Sequence, residues 1–132
     1  MPDFDLSAHA QAPVEEVWKL LHDPSRFPDW WQGIETVRTG PEDVYTIWPE
    51  GYPDFPMEQR LEATTVPGRV TISCLVSDLV FRWELRASDE ETDIDVHVEI
   101  PEQEAHRLAD QRRVIQASIT ALAQMADGAA AR

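Results

Sequence analysis

The sequence predicts an α+β fold in which an antiparallel sheet packs against one long helix, and three observations carry this prediction. Apolar side chains alternate with polar ones through most of the stretch from Ile34 to Ile100, which is the period of half-buried strands. The stretch from Pro101 to Met125 instead repeats apolar residues at the spacings of an amphipathic helix. Before both, a strand and two short helices open the chain.

The opening segment has its own start and stop signals. Every second residue from Phe4 to Ala10 is apolar, which predicts a half-buried strand. Pro13 begins a predicted helix whose apolar face consists of Val14, Val17, Trp18 and Leu21. The pair Asp23-Pro24 stops this helix and begins a second one, predicted over Ser25 to Trp31. Gly33 ends the second helix.

Six further strands are predicted up to Ile100, because turn signals interrupt the period-two pattern. The interruptions are Thr39–Pro41, Pro49–Pro56, Pro67-Gly68, Ser77-Asp78 and Ser88–Glu91. On the last three strands, the inward positions are predicted to be Val70, Ile72, Cys74, Val76, Leu79, Phe81, Trp83, Leu85, Ile94, Val96, Val98 and Ile100. One apolar face on each strand predicts a meander with one dry side and one wet side.

The C-terminal helix is predicted to cover the dry side of the sheet. Its apolar stripe consists of Leu108, Ile115, Ile119, Leu122 and Ala126. Pro101 suits the first helical position, and acidic residues in the first turn suit the positive end of the helix dipole. Gly128 is predicted to end the helix, which leaves residues 127–132 as a loose tail on a single domain of residues 1–132.

Composition narrows the class of protein. A chain of 132 residues with 42% hydrophobic residues is long enough to bury a core. Its net charge of -14 disfavours nucleic acid and anionic membrane surfaces as partners, because both repel an acidic protein. No apolar run approaches the ~20 residues of a membrane span, and the acidic N-terminus does not read as a signal peptide. The lone Cys74 excludes an internal disulfide, so we expect a cytoplasmic protein.

Two segments carry a resemblance to a known superfamily. They read Ser-Ala-His-Ala-Gln-Ala-Pro-Val-Glu-Glu-Val-Trp over residues 7–18 and Leu-Leu-His-Asp-Pro-Ser-Arg-Phe-Pro-Asp-Trp-Trp-Gln-Gly-Ile-Glu-Thr-Val over residues 20–37. Together with the strand meander and the final helix, they resemble the helix-grip superfamily (SRPBCC). This superfamily includes birch-allergen-like, START-related and polyketide cyclase/dehydrase-like proteins, and the resemblance covers roughly residues 2–126.

The resemblance implies a fold and a cavity. The fold is a sheet of about seven antiparallel strands curved around the long C-terminal helix, with two short helices between strands 1 and 2. A deep apolar cavity would lie between the sheet and the helix, with its mouth near the N-terminal half of the helix and the neighbouring loops. The superfamily contains ligand carriers, cyclases, dehydratases and co-chaperone modules, so the resemblance leaves the activity open.

No catalytic or metal-binding constellation stands out among the polar residues. Four histidines fall off the predicted dry face without metal-ligand spacing: His9, His22, His97 and His106. The acidic stretch from Asp89 to Asp95 lacks the glycine and spacing of a calcium loop, so we interpret it as a solvated hairpin. Cys74 has no histidine on its face and is interpreted as a buried apolar residue. We therefore expect neither a metal nor a cofactor.

The predicted ligand wall combines inward-facing strand residues with the stripe of the last helix. It consists of Ile72, Cys74, Phe81, Trp83, Val96, Val98, Leu108, Ile115 and Ile119. Trp48 joins it because the family layout would gather four aromatic features near the mouth: Trp30, Trp31, Trp48 and the loop from Tyr52 to Phe55. The polar candidates for orienting a ligand are Tyr45, Gln59, Gln111 and Arg112. Arg112 would either hold a carboxylate or phosphate, or lie along the sheet and reach solvent.

Three functions remain open at this point. The first is binding or transport of a small hydrophobic, aromatic or lipid-like molecule, because nearly all predicted dry-face residues are apolar. The second is a polyketide cyclase or dehydratase that shapes a flexible substrate, with Tyr45 as the acid and Arg112 as the electrostatic stabiliser. The third is a protein-interaction module of the co-chaperone kind, which a filled core would favour.

Overall fold

The computed structural model of the protein describes residues 2–52, 54–64 and 68–130, and it confirms the predicted fold class. Seven antiparallel strands form one curved sheet in the order β1-β7-β6-β5-β4-β3-β2. The elements are β1 (Asp3–Ala10), α1 (Val14–Leu21), α2 (Phe27–Trp30), β2 (Ile34–Thr39), β3 (Val44–Pro49), β4 (Met57–Ala63), β5 (Arg69–Cys74), β6 (Val80–Ser88), β7 (Glu91–Glu99) and α3 (Leu108–Ala130). Pro53 and Pro67, which belong to predicted turns, lie outside the described residues.

The first two strands lie at opposite edges of the sheet, so the chain between them must cross the whole sheet. This crossing contains α1, a 3₁₀ turn over Pro24–Arg26 and α2. The predicted helix over Ser25 to Trp31 is therefore divided between the 3₁₀ turn and α2. The Asp23 side chain caps the turn by accepting the Ser25 N–H at 3.0 Å. Gly33 follows α2 with φ at +92°, a conformation that glycine adopts without strain.

The alternation along β5, β6 and β7 places the predicted apolar residues in the core, with one exception. The prediction for Val76 is wrong, because its side chain is 63% exposed. β5 ends at Cys74, whose N–H donates to the Leu79 carbonyl at 2.8 Å. The Cys74 carbonyl in turn accepts the Asp78 N–H at 3.0 Å. The turn therefore begins directly after Cys74 and is wider than the predicted Ser77-Asp78 pair.

The C-terminal helix confirms its predicted stripe but departs from the prediction at both ends. The chain forms a 3₁₀ helix over Glu102–Arg107, and α-helical geometry begins at Leu108. At the other end, α3 continues through Gly128 to Ala130, so the predicted end at Gly128 is wrong. Asp127 anchors this last turn, since its Oδ1 accepts the Gln11 N–H at 2.6 Å. Residues 131 and 132 lie outside the described part of the chain.

The helix packs against β1, α1 and α2. Its buried residues include the predicted Ile115, Ile119, Leu122 and Ala126, whereas Leu108 is half-buried against the core. None of the described helices combines the length and the apolarity that a membrane crossing requires.

Charged side chains cover the solvent side of β1 and β7. The two ring nitrogens of His9 contact Asp93 at 2.8 Å and Glu91 at 2.5 Å. The hydrogen bond to Asp93, and then the one to Glu91, raises the pKa of His9 above its ordinary value. His97 contacts Asp5 in the same way at 2.8 Å. All four histidines belong to the described residues and none of them is buried, in agreement with the prediction that they lie off the dry face.

One buried hydroxyl joins α3 to the segment that follows α2. Ser118 is fully buried, and its Oγ accepts the Gln32 N–H at 2.9 Å. The same hydroxyl donates to the Val114 carbonyl at 2.7 Å. Because Gln32 directly follows Trp31, this pair of hydrogen bonds fixes where the chain leaves α2 beneath the long helix.

We predict that Ser118→Ala lowers the free energy of unfolding by about 1–2 kcal/mol, because the Gln32 N–H loses its acceptor. Thr120→Ala is the matched control, since the exposed Thr120 hydroxyl donates to the Gln116 carbonyl within the same helix at 2.9 Å. The control should change stability by less than about 0.5 kcal/mol. Urea unfolding followed by tryptophan fluorescence measures both variants, and equal losses would contradict the role given to Ser118.

Candidate ligand-binding site

A cavity of about 190 Å³ lies between the sheet and the N-terminal part of the C-terminal helical segment. Strands β3 to β6 and their connections form its sheet side, with Ile47, Met57, Gln59, Cys74, Leu79 and Phe81. Arg107, Gln111 and Val114 form its helix side. The segment from Trp31 to Ile34, which follows α2, forms the third side. The cavity thus lies where the superfamily resemblance implies its mouth.

Aromatic rings separate this cavity from the core. The short helix α2 and the residue after it contribute three rings, those of Phe27, Trp30 and Trp31. These rings pack against three rings of the sheet, those of Tyr45, Phe81 and Trp83. The Trp31 ring centroid lies 5.1 Å from that of Phe81 and 5.6 Å from that of Trp83. The planes of these pairs meet at 85° and 67°, close to the edge-to-face geometry that aromatic rings favour. Trp31 is therefore a wall of the cavity on one side and a packing partner of the core on the other.

The floor of the cavity contains a buried row of polar side chains. Tyr45 pairs with Gln59 across β3 and β4, and Gln59 pairs with Cys74 across β4 and β5. The Tyr45 hydroxyl donates to Gln59 Oε1 at 2.7 Å. Burial, and secondarily the neighbouring Cys74 thiol, raises the pKa of Tyr45 far above its ordinary value, so the phenol stays protonated. Since Tyr45 occupies Oε1, the Gln59 Nε2 group is the donor that remains for a ligand.

A positive charge lies at the rim of the cavity. Arg107 is half-buried there, and its Nη1 is 3.5 Å from Glu104 Oε2, which leaves most of the guanidinium donors for other partners. Gln111 lies one turn further along the helix and also lines the cavity. The site therefore has an apolar wall, amide donors and one cation.

The structure brings together part of the predicted ligand wall. Four of the predicted residues line the cavity: Gln59, Cys74, Phe81 and Gln111. Six others are buried in the core outside the lining, namely Ile72, Trp83, Val96, Val98, Ile115 and Ile119. Tyr45 is buried behind Gln59, and Leu108 is half-buried against the core. Contact of these residues with a ligand stays a prediction.

Trp48 and Arg112, the other two predicted residues, lie away from the cavity lining. Trp48 is half-buried, and the Arg38 guanidinium carbon stands 5.5 Å from the centroid of its ring. Arg112 is exposed, and its guanidinium carbon is 5.6 Å from the ring centroid of Phe4 on β1. Of the two alternatives for Arg112, this geometry matches a side chain that lies along the sheet and reaches solvent.

Several lining residues are absent from the predicted site, and Arg107 is the most important of them. Arg107, Gln111 and Val114 follow one another at spacings of four and three residues, which place them on one helical face. Gln111 is a predicted site residue, and Arg107 lies one turn before it, at the end of the 3₁₀ segment Glu102–Arg107 that precedes α3. The spacing that joins the two residues is therefore the signal that indicates Arg107.

The connections beside the cavity expose apolar side chains. In the described part of the chain, the large exposed hydrophobic residues are Tyr52, Phe55, Leu75 and Val76. They belong to the β3–β4 and β5–β6 connections, whose end residues Pro49, Met57, Cys74 and Leu79 line the cavity. The Tyr52 and Phe55 rings pack edge to face with centroids 6.2 Å apart. The surroundings of the cavity are therefore unusually apolar for this acidic protein.

Comparison with known proteins shows what this architecture is similar to. The family model described as polyketide cyclase / dehydrase and lipid transport matches residues 1–127. A search of curated proteins finds no significant match. Among solved structures, Zhui, an aromatase/cyclase from a Streptomyces species, has a TM-score of 0.78 at 16% identity, and the match covers 96% of this chain and 93% of that chain.

Two other solved structures give a similar result. A protein from Nitrosomonas europaea has a TM-score of 0.76 at 17% identity, with 98% of this chain and 97% of that chain covered. The di-domain ARO/CYC BexL has a TM-score of 0.77 at 14% identity, with 94% of this chain and 46% of that chain covered. At these identities the structural likeness shows the fold alone. Because the family model matches nearly the whole length, the chain belongs to the polyketide cyclase / dehydrase and lipid transport family, and its fold is the helix grip.

Proposed function

We propose that this protein binds a small, mostly apolar molecule with an acidic end in the cavity beside Trp31. The observation that carries the proposal is the distribution of polarity along the cavity wall. Apolar and aromatic side chains form most of the wall, while the amide of Gln59 lies at the floor and Arg107 lies at the rim. Such a site holds a ring or short chain by apolar contact and orients it by its polar ends.

The volume of the cavity limits the size of the ligand. An engineered cavity of about 150 Å³ in another protein binds benzene, whereas pockets for larger ligands measure about 300–1,000 Å³. The cavity of about 190 Å³ therefore fits a single ring with a short substituent. A sterol or a full polyketide chain would need the cavity to enlarge.

Because the protein is strongly acidic, Arg107 can attract an anionic ligand only at short range. With a net charge of -14, the molecule as a whole repels anions at long range. At physiological salt this repulsion is screened over a Debye length of about 8 Å, so a half-buried guanidinium at the rim still attracts a carboxylate at contact distance. An anionic ligand should therefore approach slowly and be held by paired hydrogen bonds.

Filling the cavity tests whether it is the binding site. Val114→Phe should lower the affinity for phenylacetate at least about tenfold, because the added ring occupies the space of the ligand. Ala117→Phe adds a similar ring on the exposed side of the same helix and should change the affinity less than about twofold. Calorimetric titration measures both variants. Equal affinities for phenylacetate in the two variants would place binding outside the cavity.

Removing the rim charge tests the acidic end of the ligand. Arg107→Gln should weaken phenylacetate about threefold to tenfold, because a half-exposed charge-assisted contact is partly screened. Arg113→Gln is the matched control, since Arg113 pairs with Asp110 at 2.9 Å in the same three-residue spacing but lies outside the cavity lining. The neutral phenylacetamide should bind all three proteins alike. A similar loss of phenylacetamide affinity in Arg107→Gln would instead indicate a general packing role.

A cyclase or dehydratase is the second candidate, and the protonated Tyr45 phenol next to the cavity floor favours it. In that function Tyr45 would supply the proton, and Arg107 would stabilise charge that develops on the substrate. Gln59 stands between the phenol and the cavity, however, so its side chain would have to move aside. An aromatic product formed from a linear poly-β-ketone analogue, and lost in Tyr45→Phe, would favour this candidate over simple binding.

The buried phenol also makes stability depend on pH in the alkaline range. The pKa of Tyr45 is raised in the folded protein, so the unfolded chain loses this proton first, at pH about 10. The stabilising contribution is complete below that pH and falls above it, by up to about 1.4 kcal/mol per pH unit. The free energy of unfolding of the wild type, minus that of Tyr45→Phe, should thus stay constant up to pH about 9. It should decrease above pH about 10, because only the wild type has this phenol to ionise. Urea unfolding across this range measures it, and a constant difference would show that the phenol ionises freely in the fold.

A further inference from the structure

In the described part of the chain, a single fully buried side-chain nitrogen or oxygen atom has no hydrogen-bond partner: the indole Nε1 of Trp83. The side chain is 1% exposed and faces the core from β6. Leaving a buried N–H unpaired is unfavourable, and folded proteins rarely do so without a reason. The contrast with Trp30 is direct, because the equally buried Trp30 Nε1 donates to the Leu20 carbonyl at 2.9 Å.

The Trp83 ring lies one ring away from the cavity. Trp31 lines the cavity, and its ring centroid is 5.6 Å from that of Trp83. Phe81 also lines the cavity and belongs to the same strand as Trp83, two residues earlier. The Trp31 side chain thus borders the cavity and also packs against the Trp83 ring.

Within the described part of the chain, Trp31 is held by contacts with four aromatic rings and by no side-chain hydrogen bond. Its backbone N–H donates to the Phe27 carbonyl at 2.7 Å, which ends α2, and Gly33 follows two residues later. Its side chain makes no hydrogen bond among the described residues, whereas that of Trp30 does. Rotation of the Trp31 ring would therefore break aromatic contacts but no hydrogen bond.

We infer that the cavity has an inner compartment behind Trp31, in which Trp83 Nε1 donates a hydrogen bond to a carbonyl or hydroxyl oxygen of the ligand. The inference rests on the proposed function and names the ligand further: an elongated or two-ring molecule with an oxygen at its leading end. Displacement of an indole ring would bring the volume from about 190 Å³ towards the range of about 300–1,000 Å³ that larger ligands need. The ligand would then satisfy the fully buried indole N–H of Trp83, which has no partner among the described residues.

A different explanation is that the N–H points at the π face of a neighbouring indole. The Trp30 and Trp83 planes meet at 88° with centroids 5.5 Å apart, which is compatible with such a contact. An N–H to π contact is weaker than a hydrogen bond to oxygen, so a ligand oxygen would replace it. The two explanations predict different effects of a ketone ligand on the magnetic resonance signal of the Trp83 indole N–H.

Nuclear magnetic resonance of the ¹⁵N-labelled protein tests this directly, because each of the 5 tryptophans gives one indole N–H signal. The probes are α-tetralone, a two-ring ketone, and tetralin, the same skeleton without the oxygen. We expect α-tetralone to move the Trp83 indole proton downfield and tetralin to leave it nearly unchanged. The Trp30 indole, whose N–H is already bonded, should respond equally to both probes.

The outcomes separate the inner compartment from the proposed function. In one outcome, α-tetralone shifts the indole signal of Trp31, but the Trp83 signal responds as it does to tetralin. This outcome would overturn the inner compartment and leave the proposed function standing. Binding of phenylacetate with no binding of α-tetralone would do the same. If neither phenylacetate nor α-tetralone perturbs any signal, both the proposed function and the compartment are wrong.

Two matched variants provide a second readout. Trp83→Phe should reduce the preference for α-tetralone over tetralin about fivefold to tenfold, because it removes the donor and keeps an aromatic ring. Trp30→Phe removes a donor that is bonded within the protein and should leave the preference unchanged. The ratio of the two affinities cancels any general loss of packing. An unchanged ratio in Trp83→Phe would overturn the inference even where the variant binds both probes more weakly.

Discussion

The passage of the chain from β1 to β2 is the constraint on which the rest of the structure depends. These strands occupy opposite edges of the sheet, so the connecting helices have to cross the face that α3 also covers. Phe27 and Trp30 of α2 are buried there and fill one part of the space. α2 ends at Trp30, the chain turns at Gly33 with φ at +92°, and the part of the face beyond this turn stays open as the cavity. One crossing thus decides which part of the sheet is core and which part is available to a ligand.

Buried polar groups hold this crossing in place. Trp30 Nε1 fixes α2 to the end of α1 through the Leu20 carbonyl, and Thr92 fixes the start of α1 to β7 through the Ala12 carbonyl at 2.8 Å. Each bond satisfies a group whose burial alone would cost about 1–3 kcal/mol. These two bonds therefore hold α1 and α2 in place across the sheet. The indole N–H of Trp83 has no such partner, and the Trp83 ring packs against Trp31, which borders the cavity.

Periodicity predicted the fold well, because each strand buries one face and the alternation survives in the sequence. It failed at Val76, because the turn begins directly after Cys74 and not at the polar Ser77. It also failed at Gly128, because the last helical turn continues past this glycine and Asp127 anchors that turn by its hydrogen bond with the Gln11 N–H. The site was harder to predict, because a cavity is decided by where elements end. Trp31 lines it because α2 stops at Trp30, and no period reveals where such a short helix ends. Arg107 lines it one helical turn before the predicted Gln111, but the spacing alone does not show that the cavity extends that far along the helical segment.

The chemistry of the cavity wall favours binding over proton transfer. General acid–base catalysis needs a titratable group within reach of the substrate. Of the residues that line the cavity, Cys74 and Arg107 are the ionisable ones, and a guanidinium does not give up its proton. The Tyr45 hydroxyl donates its hydrogen bond to Gln59, so it could reach a substrate only after Gln59 moved aside. Without that movement, catalysis would have to arise from the shape imposed on a flexible substrate, which requires more room than about 190 Å³. The space behind Trp31 would supply that room. The volume of the cavity with a ligand bound therefore distinguishes two functions: a carrier of small molecules needs little more than the present volume, whereas an enzyme that folds a longer substrate needs the enlarged cavity.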